Sequence, residues 1–170
     1  MNSKWIGSIL ILVSCGGFGF SIAHNYRNKE RLLRQLLTAL EMMGSELEYR
    51  LTPLPELARK AARDTEGILR DVFLNLVREL EWQSEPDAGN CMRTAMEKCP
   101  NLPSCLRRPL RLLGQTLGRF ELPGQLQGIA SVQDACRREM ERLERNRDAR
   151  LRSYQTLGLC AGAALVILFI

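Results

Sequence analysis

Two uncharged runs, one at each end, constrain this chain more than anything between them. From Trp5 to Ala23 (WIGSILILVSCGGFGFSIA) and from Ser153 to Ile170 (SYQTLGLCAGAALVILFI) there is no Asp, Glu, Lys or Arg. At about 1.5 Å rise per residue, the first run comes close to the roughly 30 Å hydrocarbon core of a bilayer. The second is shorter, and its terminus can sit at the far interface. Trp5, Tyr26 and Tyr154 stand at the ends of the runs, where amphipathic rings favour the headgroup level. These features predict transmembrane helices at residues 1–23 and 153–170, with a domain of residues 24–152 between them.

Basic residues set the orientation of such segments. Only Lys4 precedes the first run, whereas Arg27, Lys29, Arg31 and Arg34 follow it. Arg142, Arg145, Arg147, Arg150 and Arg152 precede the second, and none follows. Both asymmetries place the middle of the chain in the cytosol and both termini outside. They also assign the net charge of +5 to topology and anionic headgroups rather than to nucleic acid. Glu139, Glu141, Glu144 and Asp148 offset much of the basic stretch Arg137 to Arg152, and no aromatic residue interleaves with it, as a single-strand binder requires. A second reading stays open: Leu12-Val13-Ser14-Cys15-Gly16 looks like a bacterial lipobox. With Cys15 lipidated, the chain is a lipoprotein whose structural helical domain lies outside the cytoplasm. Against it, the apolar run continues past Cys15 to Ala23.

No reactive centre is legible. Six cysteines and one histidine, His24, show no CxxC pair and no zinc-ligand spacing. Cys91 and Cys99 read as small packing residues on one helix. No GxxxxGK[ST] phosphate loop occurs. The expectation is a non-enzymatic protein without metal or cofactor.

The middle reads as amphipathic helices. Leu33, Leu36, Leu37, Leu40, Met43 and Leu47 recur at helical spacing. Thr52-Pro53 reads as an N-cap followed by proline at the first helical position, ahead of a short helix with Ala58, Ala61 and Ala62. Ile68, Leu69, Val72, Phe73, Leu76, Val77 and Leu80 mark a third helix. Asp87 caps a fourth, which Pro100 and Pro103 end. Leu106, Leu110, Leu113 and Leu117 mark a fifth, started near Arg108 because an interior Pro109 costs a backbone hydrogen bond. The last helix starts near Pro123. Its seam of Leu126, Ile129, Gln133, Cys136, Met140 and Leu143 follows heptad spacing and can pack within the domain or against a second copy. The fold class is all-α: a bundle of about six helices between two terminal transmembrane helices.

The stretch Leu40–Glu56 (LEMMGSELEYRLTPLPE) resembles the stage III sporulation protein AB family. So does Leu113-Gly114-Gln115-Thr116-Leu117-Gly118, that family's doubled Leu-Gly element. Arg152–Gly158 (RSYQTLG) is similar to its charged helix running into the last span, and the order of elements matches from end to end. The resemblance implies an endospore-forming bacterium and a channel between mother cell and forespore, with the protein in the mother-cell membrane facing the forespore. It implies a soluble domain like the cytoplasmic domains of the type II secretion and type IV pilus inner-membrane platform protein. The implied partners are the secretion-type ATPase, stage III sporulation protein AA, and other stage III channel proteins. Two departures stand out. Arg107-Arg108-Pro109 occupies a place where the family usually has acids, and Arg119–Gln125 replaces an acidic, Gln-containing turn.

Four residues are candidates for partner contact: Glu46, Tyr49, Leu54 and Glu56. The two prolines of Thr52-Pro53-Leu54-Pro55-Glu56 either present Leu54 to a partner or turn it inward. Glu41, Glu46, Glu48 and Tyr49 form either a docking patch for a basic surface or a solvated acidic face. Gly158 and Gly162, with Ala161 beside them, form a GxxxG suited to close helix packing in lipid. For Gly114 and Gly118, close packing or a turn is expected.

Overall fold

A computed structural model of the chain describes the backbone of residues 2–82, 87–118 and 121–169 and the side chains of 26–82, 87–118 and 121–146. Among the described residues there are six helices and no strand: α1 (Asn2–Arg50), α2 (Leu54–Asp64), α3 (Ile68–Glu81), α4 (Ala88–Glu97), α5 (Ser104–Thr116) and α6 (Leu122–Phe169). The chain divides into two units. One is Met1–Asn28 with Glu141–Ile170, built from the first part of α1 and the last part of α6. The side chains of both apolar end runs, with Cys15, Gly158 and Gly162, lie outside the described residues. Among the described residues, no helical segment is long and apolar enough to cross a membrane.

The other unit, Lys29–Met140, is the helical bundle. Its core follows the sequence periodicity. Leu33, Leu36, Leu40, Met43 and Leu47 of α1 are buried, joined by Leu32 and Ala39. Leu57, Ala58, Ala61 and Ala62 form the buried face of α2, and Leu69, Val72, Phe73, Leu76 and Val77 that of α3. Each large aliphatic removed from water stabilises the fold by about 1.5–3 kcal/mol. Between α2 and α3 the buried Thr65 hydroxyl donates to the carbonyl of Ala61 at 2.8 Å, closing the last turn of α2. Cys91 lies on α4, whereas Cys99 falls just past the helix end; both are buried.

Two expectations change. Helix α5 starts at Ser104, not near Arg108, so Pro109 sits inside it. Its missing N–H forfeits one ladder bond, and burial of its ring beside Leu106, Leu110 and Leu113 offsets that loss. On α6, Ile129 and Cys136 are buried together with Val132 and Ala135. Leu126, Gln133, Met140 and Leu143 of the seam are only half-buried, so the inward face of α6 centres on Ile129, Val132, Ala135 and Cys136.

Two glycines set the helix spacing there. A Cβ on Gly114 would stand 2.6 Å from Met92 Cβ on α4, and one on Gly128 would stand 2.5 Å from Thr116 Cβ on α5. Gly114→Ala and Gly128→Ala are each expected to lower stability by about 1–3 kcal/mol through overpacking. Gly44→Ala, whose Cβ would meet Ile129 Cγ2 at 4.0 Å, should be neutral or stabilising, since alanine is the better helix former. Urea unfolding of the full chain in detergent, followed by circular dichroism, compares the three.

Candidate functional site at the α1–α2 corner

Between Arg50 and Leu54 the chain turns from α1 into α2 in three residues. Proline fixes its own φ, −58° at Pro53, and pushes the residue before it toward extended backbone. The reversal therefore falls on Leu51, which takes φ +50°, the one left-handed residue other than glycine among the described residues. That conformation costs a leucine roughly 1–2 kcal/mol.

The carboxylate of Glu46 holds the corner in place. Thr52 Oγ1 donates to Glu46 Oε2 at 2.8 Å, and Lys60 Nζ of α2 donates to the same oxygen at 2.6 Å. Arg50 Nη1 lies 3.6 Å from the other oxygen. The hydrogen bonds from Lys60 and Thr52 hold the Glu46 carboxyl below its ordinary value. Thr52 is thus no helix cap: its buried hydroxyl serves Glu46, and Pro53 is the residue that precedes the first turn of α2.

The four candidates have different fates at this corner. Glu46 is 17% exposed and engaged internally. Tyr49 is 80% exposed, and Glu56 lies on the first turn of α2, exposed. Leu54 is half-buried, with its Cδ2 3.5 Å from where a Cβ on Gly118 would stand. Gly118 has φ +75° just after α5, a conformation glycine adopts without strain. The proline corner and the doubled Leu-Gly element, distant in sequence, therefore meet in space.

Two exposed apolar side chains escaped the sequence reading. Leu51 is 67% exposed and Trp82 85%. With Tyr49 they are the exposed large hydrophobics among the described residues. Helix α3 runs antiparallel to α2, with Glu81 at its end paired to Arg59 in the middle of α2, so Trp82 lies toward the end of the bundle that carries Leu51. The signal for Trp82 was its position just past the end of α3, after Glu81.

Elsewhere the bundle offers little reactive chemistry. A shallow cleft of about 330 Å³ beside α3 is lined by Asp71, Asn75, Arg78, Lys98 and Cys99. Within it Asn75 Nδ2 donates to Cys99 Sγ at 3.4 Å. Burial pushes the thiols of Cys99, Cys105 and Cys136 up, the last to about 12, so all three stay protonated at neutral pH. Among the described residues no group of three or more His, Cys, Asp and Glu could hold a metal. What the corner offers is exposed apolar surface on a rigid turn.

Because Glu46 is more acidic in the folded chain than in the unfolded one, its contribution is complete above the ordinary carboxylate value of 4.5 and is lost as pH falls below it. The stability difference between wild type and Glu46→Gln should be constant from neutral pH down to about pH 5.5 and shrink below about pH 4.5. Denaturant melts across that range read it directly.

The family model described as stage III sporulation protein AB matches residues 4–170 of the chain. Stage III sporulation protein AB of Bacillus subtilis (strain 168) is 25% identical over 171 residues, covering 97% of this chain and 98% of that one. A solved structure of stage III sporulation protein AB shares the fold, with a TM-score of 0.63 at 21% identity over 71% of this chain and 97% of that one. With a match running nearly from end to end, the chain belongs to the stage III sporulation protein AB family.

Proposed function

We propose that this protein is a non-enzymatic membrane platform of the channel between mother cell and forespore. Its α1–α2 corner docks the secretion-type ATPase, stage III sporulation protein AA, and its spans meet other channel subunits. Membership of the sporulation family supports the setting. The uncharged end runs and the flanking arginines support two transmembrane helices in the mother-cell membrane, with the bundle in the cytosol and both termini outside. Gly158 and Gly162 then supply a packing stripe in the membrane.

The observation that carries the docking reading is Leu51, held in a costly conformation with its side chain 67% exposed. Backbone strain of this kind persists where the surroundings enforce it, and it gathers at functional sites. Here the Glu46 network does the enforcing. Tyr49 beside it and Trp82 at the same end have the chemistry of interface anchors, and Glu56 supplies a polar rim. A rigid corner loses little entropy on binding. The membrane tether adds effective concentration near the channel.

Full-length protein in nanodiscs is expected to bind the ATPase, with Tyr49→Ala and Leu51→Asp each weakening binding at least about tenfold. Leu51→Gly separates folding from docking: it should raise stability by about 0.5–1 kcal/mol by relieving the strain while still weakening the complex. A wild type that does not bind removes the ATPase from this surface.

Topology has its own test. A phosphatase reporter inserted between α3 and α4 should be silent, and a fluorescent reporter there bright. An active phosphatase would favour the lipoprotein with Cys15 as its lipidated residue.

A further inference from the structure

Helix α5 alone among the six helices carries no acidic residue. Its Arg107, Arg108 and Arg111 are exposed, and none makes an ion pair or hydrogen bond with a described residue. On α1, Glu41 and Glu48 are exposed and equally without a side-chain partner among the described residues. These unpaired charges of opposite sign stand on the two sides of α6. Glu41, Gly44 and Glu48 follow one another at i, i+3 and i+7, and Gly44 faces Ile129 of α6. Arg108 shares a stripe with Leu112 and Thr116, and Thr116 packs directly on Gly128 of α6. Between the ridges α6 exposes Gln127, Ala130, Ser131 and Asp134. That strip has a low profile, because the Ser131 hydroxyl folds back to the carbonyl of Gln127 at 3.0 Å.

We propose that two copies of this chain pair through this face, about a two-fold axis parallel to α6. The acidic ridge of each copy then meets the arginine ridge of the other, twice, while the two α6 strips lie against each other. Such an axis keeps each residue at its own level along the bundle, and there Glu41 faces Arg111. Gly44 and Thr116 both border the Gly128-Ile129 step of α6. Counting back toward Lys29, Glu41 lies about 4.5 Å and Arg111 about 7.5 Å below that step. The remaining offset of about 3 Å is well within the reach of an arginine side chain. Arg108, by contrast, lies about 12 Å below the step and Glu48 about 6 Å above it, so Glu41 and Arg111 form the facing pair. Guanidinium–carboxylate pairs can bond in bidentate fashion, and isologous pairing is the commonest oligomer symmetry. A parallel axis also keeps both copies pointing the same way, as anchorage in one membrane requires. The burial of Ile129, Val132 and Cys136 leaves the outer strip of α6, not its seam, for this contact.

The test is the mass of the full chain in detergent, by sedimentation at low and high salt. Wild type should be a dimer that molar salt loosens. Arg108→Glu/Arg111→Glu and Glu41→Arg/Glu48→Arg should each be monomeric. A one-to-one mixture of the two variants should dimerise again, because one copy is then acidic on both ridges and the other basic on both. Restored pairing also shows that both variants are folded. Ser131→Cys should give a dimer with a short bismaleimide that wild type does not. A monomeric wild type, variants that still dimerise, or a mixture that stays monomeric overturns the proposal. Tyr49 and Leu51 are untouched in these variants, so the pairing stands or falls apart from the ATPase reading.

Discussion

Burial of one leucine-rich stripe on α1 is the constraint on which the bundle depends. Leu33, Leu36, Leu40, Met43 and Leu47 span about four turns of a helix and are all buried. A stripe that long cannot be covered by one short helix, so the chain must return to it repeatedly. Helix α2 reaches α1 through Lys60 on Glu46, and α6 through Ile129 beside Gly44. The short helices between them close the bundle, with α5 fitted closely because Gly114 and Gly128 leave room for Met92 and Thr116. The Arg31–Glu66 pair at 2.9 Å is mostly exposed on both sides and contributes little beside this. Packing holds the bundle, and charge decorates it.

The α1–α2 corner uses that rigidity. A leucine in the left-handed region returns to ordinary backbone unless its neighbours prevent it. Two features prevent it here: Pro53 restricts Thr52, and Glu46 ties Thr52 and Lys60 to α1. Glu46 is a positioning residue, since its carboxylate is spent inside the protein. Its acidity comes from the same hydrogen bonds that fix the corner, so backbone shape and carboxylate charge are linked.

Much of the fold was legible in the sequence because a 3.6-residue period survives any rearrangement of the helices around it. Most of the stripes of α1 and α3 could be read this way, although Leu37, Ile68 and Leu80 are only half-buried and Leu32 and Ala39 join the core. What escaped were features set by neighbours distant in the chain. Pro109 looked like a helix start by local rules, yet it lies in the interior of α5, where burial compensates for its lost donor. Thr52 looked like a cap because of the proline after it, but its hydroxyl is claimed by Glu46, six residues earlier. For Leu54 the sequence left exposed and inward placements open, and its neighbour Gly118, far along the chain, could not be read from local rules. Leu51 was invisible as a surface residue because nothing in its type announces a positive φ.

The corner and the α6 face differ in physical character, and that difference keeps them from competing. At the corner, Glu46 is neutralised by Lys60 and Arg50, which leaves Tyr49, Leu51 and Trp82 as its exposed large apolar side chains. Apolar anchors of this kind give contacts that salt barely weakens. Beside α6 the charges are unspent and opposite in sign, and any contact made by such charges is steered over distance and screened by ions. Arg107 and Arg108 of α5 sit where the family resemblance implies acids, so the sign of charge on this face is the reverse of the one that resemblance leads one to expect. A charge match suits recognition of self, because both of its halves are carried by one sequence and can change together.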